Sequence, residues 1–347
     1  MKVEDKTKIK KRYGWIISII VLLILAIIVY IPTDYYLESP GSVFPVSEFI
    51  TTKQKKYENL NMVTVSVSRN PISIGQYLWS YTQKFDSRVS SRELLGNQSN
   101  SQYEELQNWY METSQQNAVY YAAKKAKLKP KLSYFGVYVL AIQKNSSFKH
   151  KLQIGDTVLG ANGKRFHSTQ EMMDYLNKQK VGKKVTVNIL RNKKEKSYTG
   201  KIVKLAKNKR KGIGISLVER VKVKTTPALK IDAGSIGGPS AGLMFALDSY
   251  QIFTHTNLSN NHKIAGTGTI DPTGKVGIIG GVDKKVVAAD KAGAEVFFAP
   301  TDSTGVAKNK TNYVIAKKVA KQINSKMKIV PVANFDDALS YLSKKYK

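Results

Sequence analysis

Two short segments contain the residue types that a nucleophilic reaction needs. The first is GSIGGPSAGLMFALDSY, residues 234–250, in which Gly237, Gly238 and Pro239 permit a sharp turn just before Ser240. The apolar residues that follow favour a helix, so the Ser240 hydroxyl would stand beside unpaired backbone N–H groups and the positive end of a helix dipole. This position suits a nucleophile next to an oxyanion-binding surface, and it equally suits a serine that only caps the helix.

The second segment supplies candidate bases. Residues 280–292 predict a helix that begins after Gly280-Gly281 and contains Lys284 and Lys285. The residues three and four positions from either lysine are glycine, valine or alanine, so an amine on this face would be partly desolvated and would have no carboxylate partner. Both conditions lower a lysine pKa, and a neutral lysine can accept a serine proton. Periodicity does not choose between the two lysines, and a solvated helix lysine is the ordinary alternative for each.

Other chemistries have little support in the sequence. The chain has no cysteine, which excludes a cysteine nucleophile, a thiolate metal site and a disulfide framework. The four histidines show no metal-ligand spacing, so no metal and no cofactor are expected. They are His150, His167, His255 and His262. Asp232 and Asp248 lie near the serine and are expected to be loop or helix-end acids rather than members of a catalytic triad.

Composition restricts the surroundings in which the protein works. The chain has 347 residues, 42% of them apolar, which is enough for two modest domains with packed cores. Lys and Arg number 56 against 25 acidic residues, a formal net charge of +31. This surplus excludes an acidic, cation-chelating protein and implies anionic surroundings such as lipid head groups or wall polymers. Nucleic acid is not expected as a partner, because the basic stretch 193–211 contains a single tyrosine rather than interleaved stacking aromatics.

The N-terminal region predicts a membrane anchor. Six basic residues within 2–12 precede the apolar run WIISIIVLLILAIIVYI, residues 15–31. A run of this length suffices to cross a bilayer as a helix, and Trp15 and Tyr30 lie near its two ends, where aromatic rings favour the interface. No small-residue cleavage motif follows, which argues against a removed signal peptide. The positive-inside rule then predicts a cytoplasmic tail at 1–13, a span at 14–31 and an extracellular remainder.

Residues 32–127 are predicted to contain a short linker, marked by proline and glycine, followed by a strand and helical segments. The strand is Met62–Ser68, which alternates apolar with small polar residues, and the helical pattern is clearest in 101–126. This strand is a candidate early strand of the C-terminal domain. In that case the residues between them would form an insertion.

Residues 128–206 have the pattern of a small β-rich unit. Strands are predicted at Val137–Ile142 and Lys184–Arg191, and Leu152–Phe166 contains Gly-Asp and Asn-Gly turn signals. Ser168–Gln179 begins with a capping-box pattern and predicts an amphipathic helix. This order of elements resembles a PDZ domain, a fold that takes up peptides by strand addition.

The PDZ resemblance implies a peptide-binding loop. Tyr134-Phe135-Gly136-Val137 stands where that family has a short glycine-containing turn entering a strand. Phe135, Gly136 and Val137 are therefore expected to bind a peptide carboxylate through backbone N–H groups. Tyr134 departs from the family's usual first glycine. The alternative is a small β-domain that acts only as a spacer.

Residues 207–347 resemble the Lon-type peptidase domain. That family has Pro-Ser-Ala-Gly around its nucleophile and a later lysine in a helix that opens with a Gly-Gly turn; here GGPSAG and GGVDKKVVAAD place the lysine 45 residues after the serine. The resemblance implies that Ser240 is the nucleophile, Lys285 the general base and Thr267 a hydroxyl that holds the lysine amine. It also implies an oxyanion site formed by backbone N–H groups between Gly238 and Ala241. The residue before the base is often acidic in the family and is a lysine in this chain.

The sequence as a whole predicts an α+β protein with an N-terminal transmembrane helix, a PDZ-like β-rich domain and a Lon-type proteolytic α/β domain. It contains no Gly-x-x-x-x-Gly-Lys-Ser/Thr motif, so cleavage without ATP is expected. The predicted function is that of a membrane-anchored serine endopeptidase that cleaves exported peptides or proteins outside the cell, as in the PDZ–Lon peptidases of Gram-positive bacteria that it resembles. A non-catalytic cell-surface adaptor that recruits partners through the PDZ-like unit is the alternative.

Overall fold

The computed structural model describes residues 15–16, 19–23, 26–96, 98–191, 194–205 and 210–346. The predicted tail, 1–13, lies outside these ranges, as do positions 14, 17, 18, 24 and 25 of the predicted span. The described residues of the apolar segment are helical up to Tyr30. Within the described ranges, no helix combines the length and the apolar character needed to cross a bilayer.

The helices and strands are numbered in chain order. The helices are α1 (Ile74–Trp79), α2 (Ser91–Leu95), α3 (Asn100–Lys125), α4 (Thr169–Asn177), α5 (Gly242–Thr254), α6 (Val282–Lys291), α7 (Asn312–Gln322) and α8 (Phe335–Lys345). The strands are β1 (Tyr35–Pro45), β2 (Ile50–Thr52), β3 (Leu60–Val67), β4 (Ser87–Ser90), β5 (Lys131–Ile142), β6 (Thr157–Ala161), β7 (Lys164–Arg165), β8 (Lys184–Arg191), β9 (Lys194–Lys201), β10 (Val203–Lys204), β11 (Lys211–Gly212), β12 (Ile215–Lys224), β13 (Leu229–Ile231), β14 (Ile264–Gly266), β15 (Thr269–Ile270), β16 (Val276–Gly277), β17 (Val296–Pro300) and β18 (Lys328–Val332). Short 3-10 helices lie at Val46–Phe49, Ser80–Thr82 and Lys308–Lys310.

A six-stranded sheet with the order β18-β17-β14-β3-β1-β4 forms the centre of the larger unit. Strands β18, β17, β14 and β3 run parallel to one another, and β1 is antiparallel to both of its neighbours, β3 and β4. Strand β3 lies inside the sheet, because Leu60–Met62 pair with Ile264–Gly266 of β14 while β1 pairs with its other edge. The early strand and the C-terminal domain therefore share one sheet, and within the chain between them β5 to β9 and β12 form a second sheet.

Helices cover both faces of this sheet, so strand residues are buried whichever face they point to. For this reason the strands are apolar at consecutive positions rather than at alternate ones. On one face α3, α5 and α8 pack around residues that include Met62 and Phe298. On the other face α6 and α7 pack around residues that include Val63 and Phe297. Successive strand residues point to opposite faces, so Phe297 and Phe298 fill different cores. Both rings are fully buried, and each burial stabilises the fold by about 1.5–3 kcal/mol.

The predicted linker after Pro32 is instead a strand. Residues 35–45 form β1, which pairs with β3 and with β4. Pro40 and Gly41 lie where the register with β3 shifts, so they mark a β-bulge rather than a break between elements. A Cβ at Gly41 would lie 2.5 Å from the Thr64 carbonyl oxygen, which explains why this position requires glycine.

The second unit is a sheet of order β12-β5-β6-β8-β9, with β7 paired to β6. It has its own core, which includes Val137, Phe148 and Met172. The Ser168 hydroxyl caps α4 by accepting from the Glu171 N–H (3.1 Å), as the sequence pattern predicts. The sheet extends past the predicted boundary at residue 206, because β12 joins it.

Candidate active site

Ser240 and Lys285 are in hydrogen-bond contact despite their separation in sequence. Lys285 Nζ lies 2.7 Å from Ser240 Oγ and 3.0 Å from Thr267 Oγ1. The three side chains come from the turn before α5, from α6 and from the residue after β14. The structure thus brings together the residues that the sequence resemblance assigns as nucleophile, base and supporting hydroxyl.

A tight turn positions Ser240 just before α5. The chain reverses at Gly238, whose φ of 85° lies in the left-handed region that favours glycine. Helix α5 begins at Gly242 with Ala241 at its N-cap, and no side chain caps this end. Ser240 is therefore not a helix cap, and its hydroxyl faces the lysine amine.

Lys285 lies in the first turns of α6 and is only 3% exposed. The helix follows Gly281, which has a φ of 63° and packs against β3 so closely that a Cβ there would lie 2.6 Å from Val65 Cγ2. Burial lowers the pKa of Lys285 from 10.5 to about 7, because the charged form loses its hydration. An amine with this pKa is neutral in about half of the molecules at pH 7 and can then accept a proton.

Thr267 connects Lys285 to the backbone of Ser240. Its hydroxyl donates to the Ser240 carbonyl oxygen (3.0 Å) and accepts from the Lys285 amine (3.0 Å). The Gly268 N–H donates to the same carbonyl (2.8 Å). These bonds hold the amine by one of its N–H groups, which leaves its lone pair for the Ser240 hydroxyl.

Lys284 is also 3% exposed but points away from Ser240. Its amine donates to Ser87 Oγ (2.8 Å) and lies 3.6 Å from the Glu38 carboxylate. Neighbouring helix residues differ in direction by about 100°, so the two lysines face different surroundings. Lys285 contacts Ser240, whereas Lys284 ties α6 to β1 and β4, a distinction that periodicity does not make.

Helix α3 holds the turn in front of the nucleophile. The Gln107 carbonyl accepts from the Gly238 N–H (2.9 Å), and the Ser114 hydroxyl donates to the Pro239 carbonyl (2.9 Å). The predicted oxyanion role of Gly238 is therefore incorrect for this conformation, since its N–H is already bonded. Ala241, at the N-cap of α5, keeps the position expected of an oxyanion donor.

Sequence reasoning does not identify Gln107 and Ser114 as part of the site. They lie more than 120 residues before the turn that they contact. Their helical spacing is that of any packed helix, and no local pattern indicates which part of the chain α3 will meet. Only the tertiary fold reveals this contact.

Asp232 and Asp248 form contacts of other kinds. Asp232 accepts from the Gly234 N–H (3.1 Å) within the loop before the nucleophile. Asp248 is buried in α5 and accepts from the Gln251 amide, and burial raises its pKa to about 7. Among the residues that the structure describes, no group of histidine, aspartate and glutamate side chains is arranged to hold a metal ion.

The expected peptide-binding residues are not in a loop. Phe135, Gly136 and Val137 lie inside β5, and β12 pairs antiparallel with that strand along its length. Gly136 stands opposite Arg220 and Val137 opposite Glu219, while β6 pairs with the other edge at Val137. The chain's own strand thus occupies the edge at which a peptide would add. A peptide could join β5 here only by displacing a strand.

Two family models match the chain. The model of the PDZ domain matches residues 102–202. The model of the Lon protease (S16) C-terminal proteolytic domain matches residues 184–344, a range that includes Ser240, Thr267 and Lys285. The two ranges overlap in β8 and β9 of the second sheet.

Lon proteases are among the curated relatives of this chain. That of Campylobacter concisus is 36% identical over 102 residues, which are 29% of this chain and 11% of that protein. That of Clostridioides difficile is 29% identical over 167 residues, which are 45% of this chain and 20% of that protein. The chain therefore spans one fifth or less of the length of these relatives.

Solved structures of PDZ domains match about a quarter of this chain. The PDZ domain of the SdrC-like protein from Listeria monocytogenes is 34% identical, with 25% of this chain and 93% of that chain covered and a TM-score of 0.24. The corresponding domain from Listeria innocua is 32% identical, with 24% and 93% covered and a TM-score of 0.23. On the two family matches, the chain contains a PDZ domain and a Lon C-terminal proteolytic domain, and its homologues at low identity are Lon proteases.

Proposed function

We propose that this chain is a serine endopeptidase in which Ser240 and Lys285 form the catalytic dyad. The observation that carries the proposal is the 2.7 Å contact between Ser240 Oγ and a buried amine whose pKa is about 7. A serine hydroxyl is a weak nucleophile unless a base takes its proton, and a neutral lysine is such a base. The match to a Lon C-terminal proteolytic domain supports a serine protease.

The reaction proceeds in two halves. Ser240 Oγ attacks the scissile carbonyl carbon while the Lys285 amine accepts the hydroxyl proton, and the resulting ammonium gives that proton to the leaving amine as the peptide bond breaks. Water then attacks the acyl-enzyme ester, again with Lys285 as base, and the proton returns to Ser240 as the ester bond breaks. Thr267 orients the amine throughout. The Ala241 N–H is the proposed donor to the oxyanion.

The proposed cellular setting is the outer face of a membrane, with residues 14–31 as the anchor. The basic residues that precede this apolar run and the net charge of +31 support this setting. The proposed cleavage is independent of ATP, since the 347 residues contain no phosphate-binding loop motif. Substrates would then be exported peptides, or exported proteins with extended segments, because nothing in these residues could unfold a stable domain.

The test is cleavage of secreted peptides by the full chain, followed by mass spectrometry. Ser240→Ala and Lys285→Ala are expected to abolish product formation, because one removes the nucleophile and the other its base. Lys284→Met is the matched control, since it removes a neighbouring buried lysine that does not contact Ser240. It is expected to retain cleavage.

Equal cleavage by the parent and by both dyad variants would show that the activity arises elsewhere. Loss of cleavage in Lys284→Met with retention in Lys285→Ala would move the base to Lys284. Both results would contradict the proposed dyad.

A further inference from the structure

Three large apolar and aromatic side chains stand exposed on one short segment, α1 and the 3-10 turn after it. Leu78, Trp79 and Tyr81 are 62%, 65% and 62% exposed. We call these three residues the aromatic patch. Exposed apolar and aromatic side chains grouped on one segment are typical of an interaction surface.

The patch lies directly beside the end of the N-terminal apolar helix. The Ile74 N–H donates to the Ile31 carbonyl (2.9 Å), so α1 starts where the apolar segment ends. Gly75 packs against that segment so closely that a Cβ would lie 2.4 Å from Val29 Cγ1. The helix on which the aromatic patch starts is therefore in contact with the end of the proposed membrane anchor.

The chemistry of the patch fits a lipid head-group region. Trp and Tyr combine an apolar ring with a polar group, and both are enriched where a membrane meets water. The Arg88 guanidinium lies over the Tyr81 ring, 3.9 Å from its centre. Residues 69–92 contain four basic residues and one acidic residue, a surplus that complements anionic lipids.

The length of the proposed anchor places the aromatic patch at the membrane surface. Eighteen residues, 14–31, span about 27 Å as a helix at 1.5 Å per residue, just below the roughly 30 Å of a typical hydrocarbon core. A short span is accommodated by local thinning and by interfacial residues at its ends. The chain at Ile31 would therefore emerge within the head-group region, and α1 begins there.

We propose that the aromatic patch inserts into the outer head-group region of the bilayer and forms a second membrane contact beside the anchor. This inference rests on the proposed membrane anchoring. The patch precedes β4, whose Ser87 hydroxyl accepts from the Lys284 amine on the helix of the catalytic base.

Site-directed spin labelling of the full chain tests this contact, because the protein has no cysteine of its own. Three single-cysteine variants are labelled with a nitroxide in nanodiscs of phosphatidylglycerol: Leu78→Cys for the patch, Ile20→Cys for the anchor and Leu132→Cys as the control. Leu132 matches Leu78 in type and is 55% exposed, but it lies on β5 of the second sheet. Collision rates with oxygen, which enters lipid, and with a water-soluble nickel chelate report the depth of each label.

The ratio of oxygen to nickel collisions at residue 78 is expected to exceed that at residue 132 severalfold. Equal ratios at 78 and 132, with a lipid-exposed label at residue 20, would overturn the patch and leave the anchor intact. A label at residue 20 exposed to water would overturn the anchor, and the ratio at 78 would still decide whether the patch binds lipid. Protection of residue 78 from both reagents would reveal a protein surface over the patch and would overturn the proposal.

Discussion

Lys285 is the residue on which the proposed chemistry depends, and its state is set by burial alone. The folded protein lowers the pKa of this amine to about 7 by desolvation. In an unfolded chain the same group has a pKa near 10.4. The lowered pKa predicts how cleavage depends on pH, and its free-energy cost predicts how replacement of Lys285 changes stability.

Peptide cleavage is expected to depend on pH through Lys285. Below a pH of about 7 the amine is protonated and cannot accept the serine proton, so kcat/KM should fall about tenfold for each further pH unit. Initial rates on a short peptide between pH 5 and 9 measure this fall in kcat/KM on the acidic side. Asp248 also has a pKa of about 7, so Asp248→Asn is the control. This variant should show the same fall in kcat/KM below pH 7. Loss of this acidic fall in kcat/KM in Asp248→Asn would contradict its assignment to Lys285.

Replacing the base should make the protein more stable while abolishing cleavage. Because the folded-state pKa of Lys285 lies below the unfolded value, the unfolded state binds more protons, and the parent is destabilised most at and below pH 7. Lys285→Met is expected to raise the free energy of unfolding by about 2–4 kcal/mol at pH 7, and this gain should shrink as pH rises towards 10.4.

Urea unfolding at pH 7 and at pH 10 measures that gain. Lys291→Met, which changes an exposed lysine of the same helix, is the control and should alter stability by only a few tenths of a kcal/mol. A Lys285→Met protein no more stable than the parent at pH 7 would show that the buried amine carries no such cost.

At the scale of residues, the sequence predicts much of the candidate site. The motifs around Ser240 and Lys285 are specific, and glycine turns before short helices indicate where both residues lie. The choice between Lys284 and Lys285 required the resemblance, because both face small apolar neighbours along the helix. The oxyanion role expected of Gly238 fails because its N–H donates to Gln107, a contact that only the tertiary structure shows.

At the scale of elements, α3 is the feature that links the nucleophile turn to the rest of the molecule. It contacts that turn through Gln107 and Ser114. Its Glu105 carbonyl accepts from the Tyr138 hydroxyl of the second sheet (2.8 Å). One helix therefore joins the turn that positions Ser240 to the unit that resembles a PDZ domain.

Removal of the Ser114 hydroxyl should loosen the nucleophile turn. Ser114→Ala leaves the Pro239 carbonyl without this donor, at a cost of about 1 kcal/mol in the free energy of unfolding. Cleavage should slow by about tenfold or more, because small displacements of a nucleophile reduce the rate strongly. Steady-state rates and urea unfolding measure both effects. Ser101→Ala, at an exposed position of the same helix, should change neither, and parent-like rates in Ser114→Ala would contradict a role for α3.

Some elements could not be predicted from local sequence. Proline and glycine in β1 indicate a linker, but they form a bulge in a paired strand. Strand β4 lies in a stretch without strand periodicity, and it forms because β1 offers it an edge. The helices α4 and α6 were predictable to within a few residues, since the Ser168 cap and the Gly-Gly turn that mark their starts are local features.

At the scale of the whole molecule, β12 pairs with β5 and forms one edge of the second sheet. The PDZ resemblance led us to expect an open edge at β5, yet β12 follows that domain in sequence and pairs with it. Such pairing depends on which strand is nearby in space, which sequence patterns do not reveal. We expect substrates to reach Ser240 without adding to β5.

A disulfide between β12 and β5 tests this expectation. Leu217 and Val139 are opposite each other in the strand pair, so Leu217→Cys with Val139→Cys can be oxidised in a chain that has no other cysteine. The oxidised and reduced forms should cleave a short peptide at the same rate. Slower cleavage after oxidation, restored by a reductant, would show that substrate enters by displacing β12.

The central position of β3 has a consequence for how the protein is made. Strand β3 ends at residue 67, and its partner β14 begins at residue 264, which is 197 residues later. At 5–20 residues per second, a ribosome needs about 10–40 s to supply that partner, and during this time the smaller sheet between them can complete its own local pairings. An apolar strand must meanwhile be kept from aggregating. Ser240 and Lys285 can therefore meet only after residue 285 has been made, so the proposed activity would be absent from a shorter nascent chain.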